Sequence, residues 1–170
     1  ELWRYVCLVR SSMQKVVCPG SYDPVTNGHI DVFKRASDIA NEVVVAVLVN
    51  HTKAGLFSIE ERVDLIKESC QHLPKVSVQT FDGLLVDFCK TQGVTAIVKG
   101  LRAVSDFDYE LQMSQMNYQL GQVETLFVAT NPLYSFLSSS LVREVARHGG
   151  DISTSVPKLV AQALKVKYKR

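Results

Sequence analysis

Residues 15–49 read KVVCPGSYDPVTNGHIDVFKRASDIANEVVVAVLV. Lys15 to Cys18 has the pattern of a short apolar strand, and Gly20 to Asn27 that of a polar turn containing Pro24. Gly28 to Ala40 repeats apolar residues with a helical period through Ile30, Phe33 and Ala36 to Ile39. Val43 to Val49 is a continuous, mostly β-branched run, as expected of a strand buried on both faces. Strand, helix and strand in this order form a βαβ unit, whose right-handed crossover sets the two strands parallel.

Working outward, the alternation continues. Ser58 is expected to open a helix, with Glu61 three residues on completing a capping box. Val76 to Thr80 alternates like a strand, Leu84 to Thr91 suits a short helix, and Ala96 to Lys99 is again a strand. Asp106 to Leu120 reads as a helix and Thr125 to Ala129 as a fifth strand. Ser139 to His148 is a helix stopped by Gly149 and Gly150, and Pro157 opens a last helix. The expected fold is α/β and doubly wound, a five-stranded parallel sheet with helices on both faces. No repeat or linker interrupts residues 13–170, which read as one domain. Residues 1–12 read as an upstream or expression-derived extension before Met13, the expected native start.

Composition narrows the function. The chain has 170 residues, 19 Lys and Arg against 17 Asp and Glu, and 46% hydrophobic residues. That is too apolar for a disordered chain and too near neutral for gripping nucleic acid through bulk charge. No apolar run approaches the ~20 residues of a membrane helix. Cys7, Cys18, Cys70 and Cys89 show neither CxxC nor Cys/His metal spacing, which suits a reducing, cytoplasmic setting. Cys18 and Cys89 read as small core side chains. Neither a P-loop nor a G-x-G-x-x-G after a strand is present.

In a doubly wound sheet, ligands sit beyond the carboxyl ends of the strands. After the first strand, His29 falls in the first turn of a helix, where N–H groups and the dipole favour an anion. A helix-capping His is the plainer reading of the same residue. After the second strand comes Lys53; His51 beside it reads as a surface residue. After the third, Leu84 and Leu85 read as core or pocket wall. After the fourth, Lys99 and Arg102 flank Gly100, a pairing suited to phosphate neutralisation. Lys99 extends a buried run and should have an anionic partner. Glu110 suits a ribose hydroxyl or is simply one charge on a helix face. After the fifth, Ser138, Ser139 and Ser140 start a helix, suited to a phosphate cradle or to plain N-capping. Arg143, one turn in, is in reach of the same anion.

The Thr26-Asn27-Gly28-His29 element with the distal Ser-rich helix start resembles the nucleotidyltransferase superfamily. Within it the chain is similar to the bacterial phosphopantetheine adenylyltransferases, from Met13 to about the last helix. Three blocks occur in that family's order: Gly20 to Pro24 through Gly28-His29, Gly100-Leu101-Arg102 with Asp106 to Glu110, and Ser135 to Ser140. The resemblance implies a Rossmann-like nucleotidyltransferase fold. It implies transfer of the adenylyl group of ATP to 4′-phosphopantetheine, giving dephospho-coenzyme A and pyrophosphate, the penultimate step of coenzyme A biosynthesis. Mg²⁺ bound mainly through the ATP phosphates, a homohexamer, and dephospho-coenzyme A and coenzyme A as product-side ligands are implied with it.

Carried over residue by residue, His29, Lys53 and Ser21 would be catalytic. Ser21, Tyr22, His29, Gly100, Leu101, Arg102, Glu110, Tyr134, Ser135, Phe136, Leu137, Ser138, Ser139 and Ser140 would contact ATP. Ser21, Lys53, Leu85 and Lys99 would hold the acceptor, and no residue is assigned to the metal. The chain departs from the family at four of these positions. Tyr22 stands where Phe is usual, with its hydroxyl expected at the pocket rim. Ser21 stands where Thr is frequent, Lys99 where Arg is frequent, and Tyr134 where Trp is common. No covalent nucleophile is required, since an acceptor phosphate oxygen can attack the α-phosphorus directly.

Three other readings share some of these features. One is a nucleotidyltransferase for nicotinate mononucleotide or for glycerol 3-phosphate with CTP; the Gly100 to Glu110 block disfavours it. A second is a nucleotide-binding sensor, which would have no need of His29. A third is a nucleic-acid-binding module, disfavoured by the charge; the basic tail Lys165 to Arg170 suits a solvated end.

Overall fold

The computed structural model describes residues 14–52 and 54–169. Five strands, β1 (Lys15–Gly20), β2 (Glu42–Leu48), β3 (Val76–Phe81), β4 (Ala96–Leu101) and β5 (Glu124–Ala129), form one sheet in the order β3-β2-β1-β4-β5. Every neighbouring pair is parallel. The expected α/β architecture with a five-stranded parallel sheet is therefore the observed one. The extension 1–12 and Met13 lie outside the described residues.

The six α-helices are α1 (Asn27–Ile39), α2 (Ile59–Ser69), α3 (Leu85–Gln92), α4 (Val104–Gly121), α5 (Ser139–Arg147) and α6 (Lys158–Lys167), with a 3₁₀ turn at Pro132–Tyr134. Side chains alternate across the strands. Val16, Cys18, Val43, Val45, Val47 and Val98 pack on one face with Phe33 and Ala36 of α1, Ile66 of α2 and Leu164 of α6. Val17, Val44, Ala46 and Ile97 pack on the other with Cys89 of α3. Both faces are covered, which explains the unbroken apolar run in β2.

Local chemistry sets the helix ends. Ser58 caps α2 and the Glu61 side chain returns to its backbone, as the sequence predicts. Gly93 ends α3 with φ 64°, in the left-handed region where glycine carries no side-chain penalty. Two strands run two residues longer than expected. β1 continues through Pro19 and Gly20, and β4 through Gly100 and Leu101, because the neighbouring strands β2 and β5 hold these residues in register. Cys18, Cys70 and Cys89 are free and buried. Met113 and Met116 of α4 are 39% and 50% exposed. Among the described residues, no helix is long and apolar enough to cross a membrane.

The strand order reverses direction between β1 and β4, the usual place for a ligand crevice. These two strands pair at Val16–Ala96 and Val17–Ile97, whereas β1 pairs with β2 along its whole length. A cavity of about 410 Å³ opens over the carboxyl ends of β1 and β4.

Candidate active site

The cavity is floored by Cys18 to Tyr22 and Val98 to Gly100, and walled by Thr26, Gly28 and His29 of the α1 start. Tyr134, Leu137, Ser138 and Ser139, with Arg102, Asp106, Tyr109 and Glu110, complete it.

His29 is set by the cap of its own helix. Thr26 is the N-cap of α1, and its backbone N–H donates to Nδ1 of His29 at 3.0 Å. An Nδ1 that accepts leaves the ring proton on Nε2. Burial lowers the His29 pKa to about 4, with the nearby cations Arg102 and Lys99 adding to the effect. The ring is therefore neutral at pH 7 and offers a single N–H. His29 completes a capping box, as the plainer reading has it, and also lines the cavity.

Tyr22 follows Ser21 with φ 48°, an uncommon backbone for a bulky residue, costing on the order of 1–3 kcal/mol. Its ring lies edge-on to His29 and Phe33, with centroids at 5.0 and 5.4 Å. A Cβ on Gly20 would meet that ring at 2.8 Å, so only glycine permits the ring to sit there. The Tyr22 hydroxyl is not at the rim. It is buried and donates to the Cys18 carbonyl at 2.9 Å. Tyr22 thus shapes the floor of the cavity.

Lys99 has the anionic partner its position demands. Its Nζ lies 3.2 Å from Oε1 of Glu110. Arg102 donates through Nε and Nη2 to the Asp106 carboxylate at 3.0 and 3.1 Å, and through Nη1 to the Leu137 carbonyl at 2.8 Å. It arrives oriented, which joins the end of β4 to the Ser-rich segment. Ser138 caps α5, accepting from the Leu141 N–H, and Ser139 donates to the Pro24 carbonyl at 2.8 Å.

Among the described residues, Arg143 points elsewhere than expected. It donates to the carbonyl and carboxylate of Asp23, a residue that sequence reasoning passed over.

The structure brings together Ser21, Tyr22, His29, Lys99, Gly100, Arg102, Glu110, Tyr134, Leu137, Ser138 and Ser139 around one cavity. Leu101, Ser135, Phe136 and Ser140 do not line it, and Phe136 is 65% exposed. Lys53 lies outside the described residues. Leu85 lines a second cavity of about 470 Å³ with Leu48, Phe81, Leu84, Ile97 and Met113. The two cavities share Ser21, Lys99 and Glu110. His51 is exposed and pairs with Asp82 at 3.0 Å. Thr26, Tyr109 and Thr130 also line the first cavity. Thr26 and Tyr109 stand within the motifs that carry the resemblance but had no role assigned to them, and Thr130 had no local signal.

A doubly wound sheet with a capped histidine and a serine-rich helix start over its switch point defines a nucleotidyltransferase of the cytidylyltransferase-like family, whose model matches residues 17–145. Two relatives are similar over most of their length. The phosphopantetheine adenylyltransferase of Streptomyces coelicolor is 62% identical over 152 residues, covering 89% of this chain and 96% of that protein. That of Thermobifida fusca is 58% identical over 156 residues, covering 92% and 95%. The chain belongs to the phosphopantetheine adenylyltransferase family.

Solved structures share the fold at low identity. A Plasmodium falciparum nicotinic acid mononucleotide adenylyltransferase complexed with NaAD has a TM-score of 0.66 at 15% identity, over 92% of this chain and 96% of that one. A bifunctional NMN adenylyltransferase/ADP ribose pyrophosphatase from Francisella tularensis, complexed with AMP and Mn ion, has a TM-score of 0.67 at 14% identity. The match covers 92% of this chain, which spans about half the length of that protein.

Proposed function

We propose that the chain transfers the adenylyl group of ATP to 4′-phosphopantetheine, releasing pyrophosphate and dephospho-coenzyme A. The observation that carries this reading is the junction of the two cavities at Ser21 and Lys99. The first cavity, with a helix start, the Lys99 and Arg102 cations and a histidine N–H, suits a triphosphate. An adjoining apolar cavity suits a long, weakly polar acceptor arm. A phosphate on that arm would meet the hydroxyl and the ammonium where the cavities join. Nicotinate mononucleotide and glycerol 3-phosphate, the acceptors of the competing reading, have no such arm.

The chemistry needs no covalent enzyme intermediate. An acceptor phosphate oxygen attacks the α-phosphorus, a new P–O bond forms, and the bond to the β-phosphate bridging oxygen breaks as pyrophosphate leaves. In our reading Nε2–H of His29 donates to the α-phosphoryl oxygens, where charge accumulates in the transition state. Ser21 and Lys99 orient the acceptor phosphate, and Lys53 joins them on the strength of the family resemblance. Gly100, Leu101, Arg102, Glu110 and the Tyr134–Ser140 segment hold ATP, with the N–H groups at the α5 start facing its phosphates.

No group of three or more His, Cys, Asp or Glu among the described residues is arranged to hold a metal ion. Mg²⁺ therefore fits this site as a companion of the triphosphate, with no protein cage assigned to it. When bound it would neutralise phosphate charge. The exposed apolar row Tyr109, Met113, Met116 and Leu120 on α4 supports burial against further copies, and we read the assembly as the homohexamer the resemblance implies. Three free, buried cysteines accord with a reducing, cytoplasmic setting.

The test is pyrophosphate release from ATP and Mg²⁺ with phosphopantetheine, nicotinate mononucleotide, glycerol 3-phosphate or no acceptor. Release with phosphopantetheine alone is expected. Release with another acceptor alone, or with none of the four, would overturn the reading.

A further inference from the structure

Asp23 belongs to no step above, yet it is 8% exposed and touches three separate parts of the chain. Its Oδ2 accepts from the Leu56 N–H and its Oδ1 from the Phe57 N–H, both at 2.9 Å. Arg62 of α2 lies 3.5 Å from Oδ1. Arg143 of α5 lies 3.3 Å from Oδ2 and also donates to the Asp23 carbonyl.

Each cation carries the tether onward. Arg62 is 7% exposed, and donates through Nε to the Phe57 carbonyl at 2.9 Å and through Nη1 to the Ser21 carbonyl at 3.3 Å. Arg143 sits one turn into the helix whose first residue, Ser139, donates to the Pro24 carbonyl. Room for this arrangement is built in. A Cβ on Gly55 would come within 1.7 Å of the Arg62 guanidinium, so the backbone there must be bare for the guanidinium to pass.

A buried carboxylate is expensive unless fully paired. Asp23 stands in the turn that follows β1, the central strand of the sheet. What the Arg143–Asp23–Arg62 chain does is fix the distance between the Ser21 segment and the α5 start. Both segments line the cavity and, in the adenylyl-transfer reading, Ser21 orients the acceptor phosphate while the α5 start holds ATP. In-line attack requires the reacting atoms within about 3–3.5 Å, and a small misplacement has a large kinetic cost.

We propose that Asp23 is a positioning residue for adenylyl transfer, setting Ser21 against the serine-rich start of α5 through Arg62 and Arg143. The proposal rests on the adenylyl-transfer reading. It predicts that Ser21 is effective only while Asp23 holds it.

The test is a double-mutant cycle read as kcat/KM for phosphopantetheine, on full-length protein whose folding is checked by circular dichroism. Ser21→Ala is expected to lower kcat/KM at least tenfold in the unaltered chain. In the Asp23→Asn background, itself slowed, the same change should cost less than about threefold. A merely destabilising role would leave the two effects multiplicative, because fewer folded molecules would each still use Ser21 normally. Multiplicative effects, or unaltered kinetics in Asp23→Asn, would overturn the proposal. Should Asp23→Asn fail to fold, Arg143→Ala serves the same cycle, since it leaves Asp23 with Arg62 and both N–H donors; the same criterion applies. Failure of the adenylyl-transfer reading would be visible separately, as no pyrophosphate release by the unaltered protein.

Discussion

The backbone N–H of Thr26 donates to Nδ1 of His29 at 3.0 Å, so the residue that caps α1 also fixes which ring nitrogen carries the proton. One hydrogen bond thus serves both the helix cap and the ring tautomer. His29→Ala should lower turnover by roughly 10²- to 10³-fold, the usual worth of one oxyanion donor, with much less change in ATP affinity. Steady-state kinetics and equilibrium ATP binding on the same variant check this. Near-normal turnover would remove His29 from the reaction.

A His29 pKa of about 4 has a consequence for stability. Unfolding restores the ordinary value near 6.5, so between about pH 6.5 and pH 4 the unfolded chain takes up a proton that the folded chain does not. This contribution to stability is complete above pH 6.5 and is lost as pH falls toward 4, by at most about 3 kcal/mol. His29→Asn should flatten that part of the curve of melting temperature against pH. The pH–rate profile should show no break from His29 between pH 6 and 8.

Tyr22 tests what the buried hydroxyl does. Tyr22→Phe removes the donor to the Cys18 carbonyl and keeps the ring against His29 and Phe33. Stability in urea should fall by about 1 kcal/mol with kcat unchanged. A large loss of kcat would place the hydroxyl in the reaction itself.

Lys99 and Lys53 should act on the acceptor side. Lys99→Ala and Lys53→Ala are each expected to raise the KM for phosphopantetheine about tenfold or more, with the KM for ATP changed little. Loss of a charged hydrogen bond of about 1.5–3 kcal/mol sets that scale. Steady-state kinetics with each substrate varied in turn will show the split.

Metal removal separates the nucleotide's ion from the protein's own stability. Since the described residues form no metal-binding cluster, a chelator should abolish pyrophosphate release and leave the melting temperature of the free protein unchanged. A chelator-induced drop in melting temperature would reveal a protein-held metal.

Most of the fold was legible because its signals are local. The apolar run in β2, the Ser58 capping box and the stop at Gly149 each follow from neighbouring residues. The ends of β1 and β4 were not, because Pro19-Gly20 and Gly100 read as breakers until the pairing strands are known. The site divides in the same way. Thr26 to His29 and the serines of α5 announce themselves by position. Arg102 pairs with Asp106 four residues on, a spacing visible in the sequence. The partner of Arg143 stands 120 residues away, and no periodicity encodes such a choice. Asp23 was therefore invisible as a tether, although it lies within the most recognisable motif of the chain.

The central claim is that the adenylyl group, and no other part of ATP, moves to phosphopantetheine. The direct measurement is to follow ATP labelled at the α-phosphate, in the presence of Mg²⁺ and phosphopantetheine. The account predicts that the label appears in dephospho-coenzyme A in step with unlabelled pyrophosphate. Label remaining in ADP or free AMP, with none in dephospho-coenzyme A, would contradict it.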